Sequence, residues 1–282
     1  MVTKPADAAG PEGAPTGAPA GGGSLAFDFG ENWDHFSRDV LDAARLQAAA
    51  DSLAALVGAE RVAGASVCDV GSGSGLFSLA AAKLGAGRVL GFDVNPRAVA
   101  VARRNLAALA PETEARVSFT EGSALDAGFT GGLGRFDLVY AWGSLHHTGA
   151  MWTAIANAAA LVAPGGTLVL ALYNRHWTSP VWTGIKVAYN LCPRVLRPVP
   201  NVLFGGLIYA ATRIVTGKSP LTKERGMDFW YDVIDWLGGY PYEYAGAAEV
   251  TERMAAMGFA TERVLPPRVP TGCNEFVLRR TG

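Results

Sequence analysis

The heptapeptide Asp69-Val70-Gly71-Ser72-Gly73-Ser74-Gly75 constrains this chain more than any other segment. It grows out of the apolar run Val67-Cys68-Asp69-Val70 and leads into the helix-forming stretch Leu76–Leu84, which Gly85 stops. A buried strand that turns through glycines into a helix is a unit of a doubly wound α/β sheet. The glycines let the backbone turn sharply and approach a ligand closely. A dinucleotide fingerprint requires glycines at 71, 73 and 76, but position 76 is Leu and the third glycine stands at 75. That spacing suits a ligand without a pyrophosphate, held by its amino-acid moiety.

The alternation continues downstream. Arg88–Phe92, Arg116–Thr120, Phe136–Ala141 and Thr167–Leu172 read as strands. Pro96–Leu109, behind Asn95 as N-cap, and Met151–Val162 read as helices. The near-continuous apolar strands fit a parallel sheet covered on both faces. Val40–Val57 reads as a helix packed on that sheet. A helix over Ala247–Met257 and strands near Phe259–Leu265 and Glu275–Arg279 close the chain.

Two elements extend the glycine loop into a nucleoside site. Asp93 closes the second strand, and its carboxylate can accept hydrogen bonds from both hydroxyls of a ribose. Gly122-Ser123-Ala124-Leu125-Asp126 follows the third strand, where adenine would lie.

On these residues the segment Val67–Leu172 resembles the class I S-adenosylmethionine-dependent methyltransferases. It shares the Asp-x-Gly-x-Gly-x-Gly loop, the acid Asp93, Phe136-Asp137-Leu138-Val139 and the turn Pro164-Gly165-Gly166. Leu145-His146-His147 resembles the ubiquinone-type and related small-molecule methylases. The resemblance implies a Rossmann-like, doubly wound seven-stranded sheet, mostly parallel with the last strand antiparallel, and S-adenosylmethionine as cofactor with S-adenosylhomocysteine as product. It also implies roles. Asp69, Gly71, Ser72 and Gly73 surround the methionine part; Asp93 meets the ribose, with Val94 beside it a further cofactor contact; Ser123 and Ala124 meet adenine. Ser123 stands where many members carry Asp, with Asp126 as a nearby acid. Trp142 and Gly143 border the sulfonium. The segment Phe27–Trp33, with Phe29 and Trp33, resembles one that folds over the cofactor; an aromatic staple on the outside of the sheet is its other reading.

Methyl transfer from a sulfonium is an in-line displacement with an activated donor, so the protein mainly positions the nucleophile and excludes water. A hydroxyl acceptor calls for a general base, and His146 or His147 sits where the fourth strand ends. Free imidazole titrates near neutral pH, which suits that task. Adjacent residues do not readily both face one substrate, so one histidine is expected to act or touch substrate and the other to pack. The expected reaction is O-methylation of a small molecule. N- or C-methylation, a protein substrate and a non-catalytic S-adenosylmethionine-binding module are the alternatives. The aromatic-rich stretch from 173 to 244 interrupts the alternation and is expected to form a helical lid. Tyr173, Asn174, Arg175, Arg225, Tyr240, Tyr242 and Asn274 are the expected acceptor contacts, with Arg175 or Arg225 available to an acidic group.

Composition excludes other classes. A net charge of −1, from 24 Lys and Arg against 25 Asp and Glu, provides no basic field for nucleic acid. The three cysteines, Cys68, Cys192 and Cys273, form no C-x-x-C pair. They argue against a disulfide framework or a metal site, and for a reducing, cytoplasmic setting. Met1–Ser24 lacks the apolar core of a signal peptide. Of its 24 residues 16 are Gly, Ala or Pro, so a disordered tail is expected before a domain over 25–282 that opens with cap helices at 25–65. Pro198–Thr212 is free of charge but, at 15 residues, shorter than the roughly 20 of a membrane span. No stable membrane insertion is expected. Val199–Val215 has two readings: a buried lid helix, or a surface touching a membrane or a long lipid. The oligomeric state has no signature in the sequence.

Overall fold

The apolar run beneath the glycine loop becomes the middle of the sheet. In the computed structural model, which describes residues 27–217, 219, 221 and 228–282, β1 (Ser66–Val70) pairs in parallel with β2 (Arg88–Asp93) and with β4 (Phe136–Trp142). β3 (Val117–Glu121) adds in parallel outside β2, and β5 (Val162–Tyr173) outside β4. β7 (Cys273–Arg280) runs antiparallel to both β5 and β6 (Phe259–Leu265). The order is β3-β2-β1-β4-β5-β7-β6, and the sheet has seven strands with the last antiparallel, as the family resemblance implied. Chain direction around the sheet reverses between β1 and β4, and ligands bind outside the carboxyl ends of strands at such a switch point.

Why the strands are apolar throughout is visible in β5. Leu168 to Leu172 are all fully buried, with Val169 in the core on one face and Leu168, Leu170 and Leu172 in the core on the other. The first core is closed by α1 (Phe29–Asp39), α2 (Ala43–Val57), α3 (Ala59–Val62), α4 (Leu76–Lys83) and α5 (Pro96–Leu109). The second is closed by α6 (Ala127–Gly132), α7 (Met151–Ala160) and α11 (Ala247–Ala256). Each buried Leu, Ile, Val or Phe contributes about 1.5–3 kcal/mol.

Local boundaries differ from the sequence reading in three places. The expected helix over Val40–Val57 begins later, because Asp42 accepts the Arg45 N–H at 2.8 Å and caps α2 there. β5 starts at Val162 and runs through Pro164-Gly165-Gly166, since Val162 already pairs with Phe136. α6 was not anticipated: it is too short and glycine-rich for periodicity, and Asp126 starts it by accepting from the N–H groups of Gly128 and Phe129.

The insertion after β5 is helical: α8 (Ser179–Leu191), α9 (Pro198–Thr216) and α10 (Phe229–Gly238). Tyr189, Phe229, Val233 and Leu237 form a small core of its own, joined by Phe27, Trp182, Ile185, Phe204 and Ile208. The reading of Val199–Val215 as a buried lid helix fails, because only one side of α9 packs. Among the described residues no helix is long and apolar enough to cross a membrane. The expected tail over Met1–Ser24 lies outside the described residues.

Candidate active site

The glycine loop turns tightly at the carboxyl end of β1. Gly71 and Gly73 have φ of +70° and +53°. A Cβ on Gly71 would stand 2.4 Å from Cβ of Ser144, and one on Gly73 would stand 2.8 Å from the Trp33 ring. Both positions therefore need glycine on conformational and on steric grounds. The N–H groups of Gly71 and Ser72 donate to the Phe92 carbonyl at 2.9 and 3.0 Å, which ties the loop to β2. Ser72 Oγ is buried and has no protein hydrogen-bond partner, a group that such a cleft leaves for a ligand.

Two carboxylates flank the loop. Asp93 Oδ2 accepts the Gly73 N–H at 3.0 Å and Oδ1 accepts the Asn95 N–H at 2.9 Å. Each oxygen thus keeps lone-pair capacity for a hydroxyl while its direction is fixed. Burial raises the Asp93 pKa, and these N–H bonds oppose the rise. Asp69 is turned toward α4, where the Ser78 hydroxyl donates to Oδ2 at 2.6 Å. Burial pushes its pKa up to about 7, against that hydrogen bond and with a further rise from the Asp93 charge. Asp69 anchors the loop more directly than it offers an oxygen to a ligand.

At the far end of the cleft Val94 is strongly exposed and Leu125 partly so. Ser123 Oγ accepts the Leu125 N–H at 3.1 Å, and its own proton is still available to donate. The Ala124 carbonyl accepts from Asn157 at 2.8 Å. Asp126, the alternative adenine acid, caps α6 through Oδ1, which accepts from the N–H groups of Gly128 and Phe129.

The histidines occupy a single tight turn, Leu145–His147, that follows β4. Gly143, with φ of +78°, turns the chain out of Trp142, and Gly143 N–H donates to the Ala171 carbonyl at 3.2 Å. The two imidazoles meet edge to face at 4.4 Å, and His146 lies 4.2 Å from the Tyr173 ring. His147 Nδ1 lies 2.7 Å from the Pro241 carbonyl. A carbonyl only accepts, so Nδ1 carries the proton and Nε2 keeps its lone pair. His146 Nδ1 is buried without a partner. The expectation of titration near neutral pH is corrected here. Burial, with the Lys186 charge adding, pulls His147 down to about 3 and holds His146 well below its usual range. Both rings are neutral at physiological pH.

α1 joins the two ends of the site. Phe29 lies 4.9 Å from the His147 ring, a Cβ on Gly30 would clash with the Asn95 amide, and Trp33 abuts Gly73. Asp28 accepts from Asn95 at 3.0 Å and from the N–H of Glu31 at 3.3 Å, so the cap of α1 is also its tie to β2. From the other side Asn32 donates to Asp235 at 2.7 Å and to the Tyr231 carbonyl at 3.3 Å on α10. The segment Phe27–Trp33 is thus a strap over the carboxyl edge of the sheet and not an external staple.

The expected acceptor contacts divide. Tyr173 and Tyr242 are buried with ring centroids 4.8 Å apart, against the histidine pair. Tyr240 holds the strap through its carbonyl, which accepts the Phe27 N–H at 3.2 Å. Asn174 and Asn274 bond each other at 3.0 Å, and Asn174 also donates to the Pro270 carbonyl, so both are structural. Arg175 is half-exposed and pairs with Glu249 on α11 at 2.7 Å, which places it on the surface. Arg225 lies outside the described residues. Missed by the sequence reading were Lys186 and Asp235. Lys186 is fully buried, donates to the Trp236 carbonyl, and lies 4.8 Å from the Tyr242 ring centroid and 5.4 Å from that of Tyr173. Burial lowers its pKa to about 7 and raises that of Asp235 to about 8. Charged residues inside the apolar helices α8 and α10 were the available signal.

Comparison with known proteins finds methyltransferases. A methyltransferase-domain family model matches residues 67–166. The ubiquinone biosynthesis O-methyltransferase of Xanthomonas campestris pv. campestris (strain B100) is 40% identical over 119 residues, covering 42% of this chain and 47% of that one. The ribosomal protein L11 methyltransferase of Geobacter metallireducens is 63% identical over 41 residues, 14% of each chain. This chain spans about half the length, or less, of the curated relatives it matches. Among solved structures, magnesium protoporphyrin IX methyltransferase from Synechocystis PCC 6803 with bound SAH superposes with a TM-score of 0.55 at 18% identity, over 89% of this chain and 93% of that one. An O-methyltransferase family protein from Burkholderia thailandensis gives 0.56 at 17%, over 89% and 60%. At such identities the structural likeness establishes the fold.

Proposed function

Because residues 67–166 form a class I S-adenosylmethionine-dependent methyltransferase domain, we propose that this chain transfers a methyl group from S-adenosylmethionine to a hydroxyl of a small-molecule acceptor. The observation that carries the reading is the pairing of a glycine loop closed by Ser144 and Trp33 with a carboxylate, Asp93, aimed by two backbone N–H groups. The buried Ser72 hydroxyl and the lone-pair capacity of Asp93 fit the cofactor's polar groups.

When bound, S-adenosylmethionine supplies a methyl group on a positively charged sulfur, already activated for displacement. Asp93 accepts from the ribose hydroxyls, Val94 and Leu125 provide apolar surface for the adenine, and Ser123 donates to a ring nitrogen. Gly71, Ser72 and Gly73 cradle the amino-acid end. The strap, through Phe29 and Trp33, excludes water from the reacting face. The acceptor hydroxyl approaches the turn after β4. There a neutral imidazole receives its hydrogen, through Nδ1 of His146 or Nε2 of His147, while Tyr173 and Tyr242 wall the pocket. Low pKa values make these rings orienting acceptors of a hydrogen bond first and proton acceptors only as the transfer proceeds.

Calorimetric titration with S-adenosylmethionine and S-adenosylhomocysteine tests the reading, after mass spectrometry has shown the protein free of co-purified ligand. Both are expected to bind. Asp93→Ala is expected to weaken binding by about 1–3 kcal/mol. Folded, ligand-free protein that binds neither would overturn it. Formation of S-adenosylhomocysteine with a panel of phenolic and alcoholic acceptors then tests the hydroxyl; turnover only with amines would sink that part.

A further inference from the structure

α9 is apolar through most of its length, apart from Asn201, Arg213 and two threonines, yet only one side of it is covered. Phe204 and Ile208 join the lid core, and Gly205 sits so close to Trp230 that a Cβ would stand 2.4 Å from the ring. The opposite side presents Val199, Val202, Leu203, Leu207 and Ile214, with exposures of 67, 65, 58, 59 and 83%. Val195 and Leu196, in the preceding turn, continue the stripe at 83 and 52%. A contiguous exposed apolar stripe of this kind marks an interaction surface.

The charges around it select the partner. From Pro193 to Gly217 the sequence holds no Asp or Glu and three Arg. Arg194 and Arg197 stand at the amino end of the stripe and Arg213 at its carboxyl end. Arg194 meets Glu31 of α1 at 3.3 Å but stays 73% exposed. Arg197 is turned inward, over the Tyr189 ring and onto the Cys192 and Asn190 carbonyls, whereas Arg213 is exposed and donates to the Gly217 carbonyl. At 19 residues α9 is about 28 Å long, and its ends carry the cations while its middle is bare of charge.

We propose that this face of α9 seats the protein on an anionic membrane surface, lying in the plane of the bilayer. The apolar stripe enters the headgroup–acyl boundary, and Arg194 and Arg213 meet lipid phosphates. A second copy of the chain fits the face less well. Antiparallel pairing of two stripes sets Arg194 against Arg213, parallel pairing sets each of them against itself, and the stripe holds no carboxylate to offset either. The proposal does not depend on the methyl acceptor.

Vesicle co-sedimentation of the full chain tests it. Vesicles of phosphatidylcholine with phosphatidylglycerol are expected to pellet the protein, and phosphatidylcholine alone to pellet much less; added salt should release it. Leu203→Glu with Leu207→Glu should lower the partition by more than about tenfold. Arg194→Gln, which cannot disturb the lid core, should lower it by about fivefold on anionic vesicles only. Circular dichroism and S-adenosylhomocysteine binding of each variant confirm that it is folded. Wild-type protein that stays in the supernatant with both vesicles overturns the proposal. So does partition unchanged in the folded double variant, and so does a dimer in solution that Leu207→Glu dissociates while vesicles capture neither form.

Discussion

Asp69 and Asp93 lie within reach of one loop, and their surroundings give them different work. Asp93 is held by backbone donors and keeps capacity for hydroxyls, whereas Asp69 is committed to Ser78 and has its pKa raised to about 7 by burial. For a carboxyl whose folded pKa lies above its unfolded value near 3.8, the folded state binds the extra proton between those two values. Its stability contribution is therefore present below about pH 4 and lost as pH rises toward 7. Asp69→Asn, in ligand-free protein, should gain on the wild type between pH 5 and pH 8, by on the order of 2–4 kcal/mol. Urea unfolding at both pH values checks this; a constant difference would refute it. At Gly73, alanine meets both a positive φ and the Trp33 ring. Gly73→Ala should weaken S-adenosylhomocysteine binding at least about tenfold while costing about 1–3 kcal/mol of stability. The histidines are separable by single substitution. Glutamine at the acting position should lower kcat by about 10²–10⁴-fold with the cofactor affinity kept, and at the packing position much less. Equal, small effects would remove both from the chemistry.

At the scale of elements, the strap α1 depends on contacts at both of its edges. Toward the sheet it has Asp28 on Asn95 and Trp33 on Gly73; toward the lid it has Asn32 on Asp235 and on the Tyr231 carbonyl, and Tyr231 on Asp39 at 2.7 Å. Its ties thus run both to the sheet and to α10. Asn32→Ala leaves the buried Asp235 oxygen without its donor, which costs about 1–3 kcal/mol. Hydrogen exchange of the α1 and α10 amides should accelerate together in this variant, and the dissociation of S-adenosylhomocysteine should quicken. Acceleration of α1 alone would show the two helices to be independent.

Over the whole molecule, stability is distributed unevenly. β1, β4 and β5 are buried on both faces and paired on both edges, while α9 is anchored on one side only. Amide exchange in those strands should require global unfolding, and exchange in α8 and α9 should proceed through local opening at lower free energy. Equal protection of lid and sheet would contradict this layering. The strap lies on the same side as the carboxyl ends of the strands, where Trp33 abuts Gly73.

Much of this could be read along the chain. Glycine spacing after an apolar run, Asn95-Pro96 at a helix start and alternating strand and helix patterns are local chemistry. Residues within a few positions of one another decide them, so β1, α4, β2 and α5 stand within a residue or so of where they were expected, and Asp93 lies at its loop. What neighbouring residues cannot specify is which distant segment arrives beside them. Arg175 became a surface partner only because α11 brings Glu249 to it. The histidines lost their neutral-range titration because Tyr173, Tyr242 and Lys186 close over them from separate elements. The outer face of α9 is bare because α10, with Trp230, covers only one side of a largely apolar helix. Periodicity and turn chemistry are short-range and survive in the sequence; burial, desolvation and ion pairing depend on long-range packing and arise only when the chain has folded.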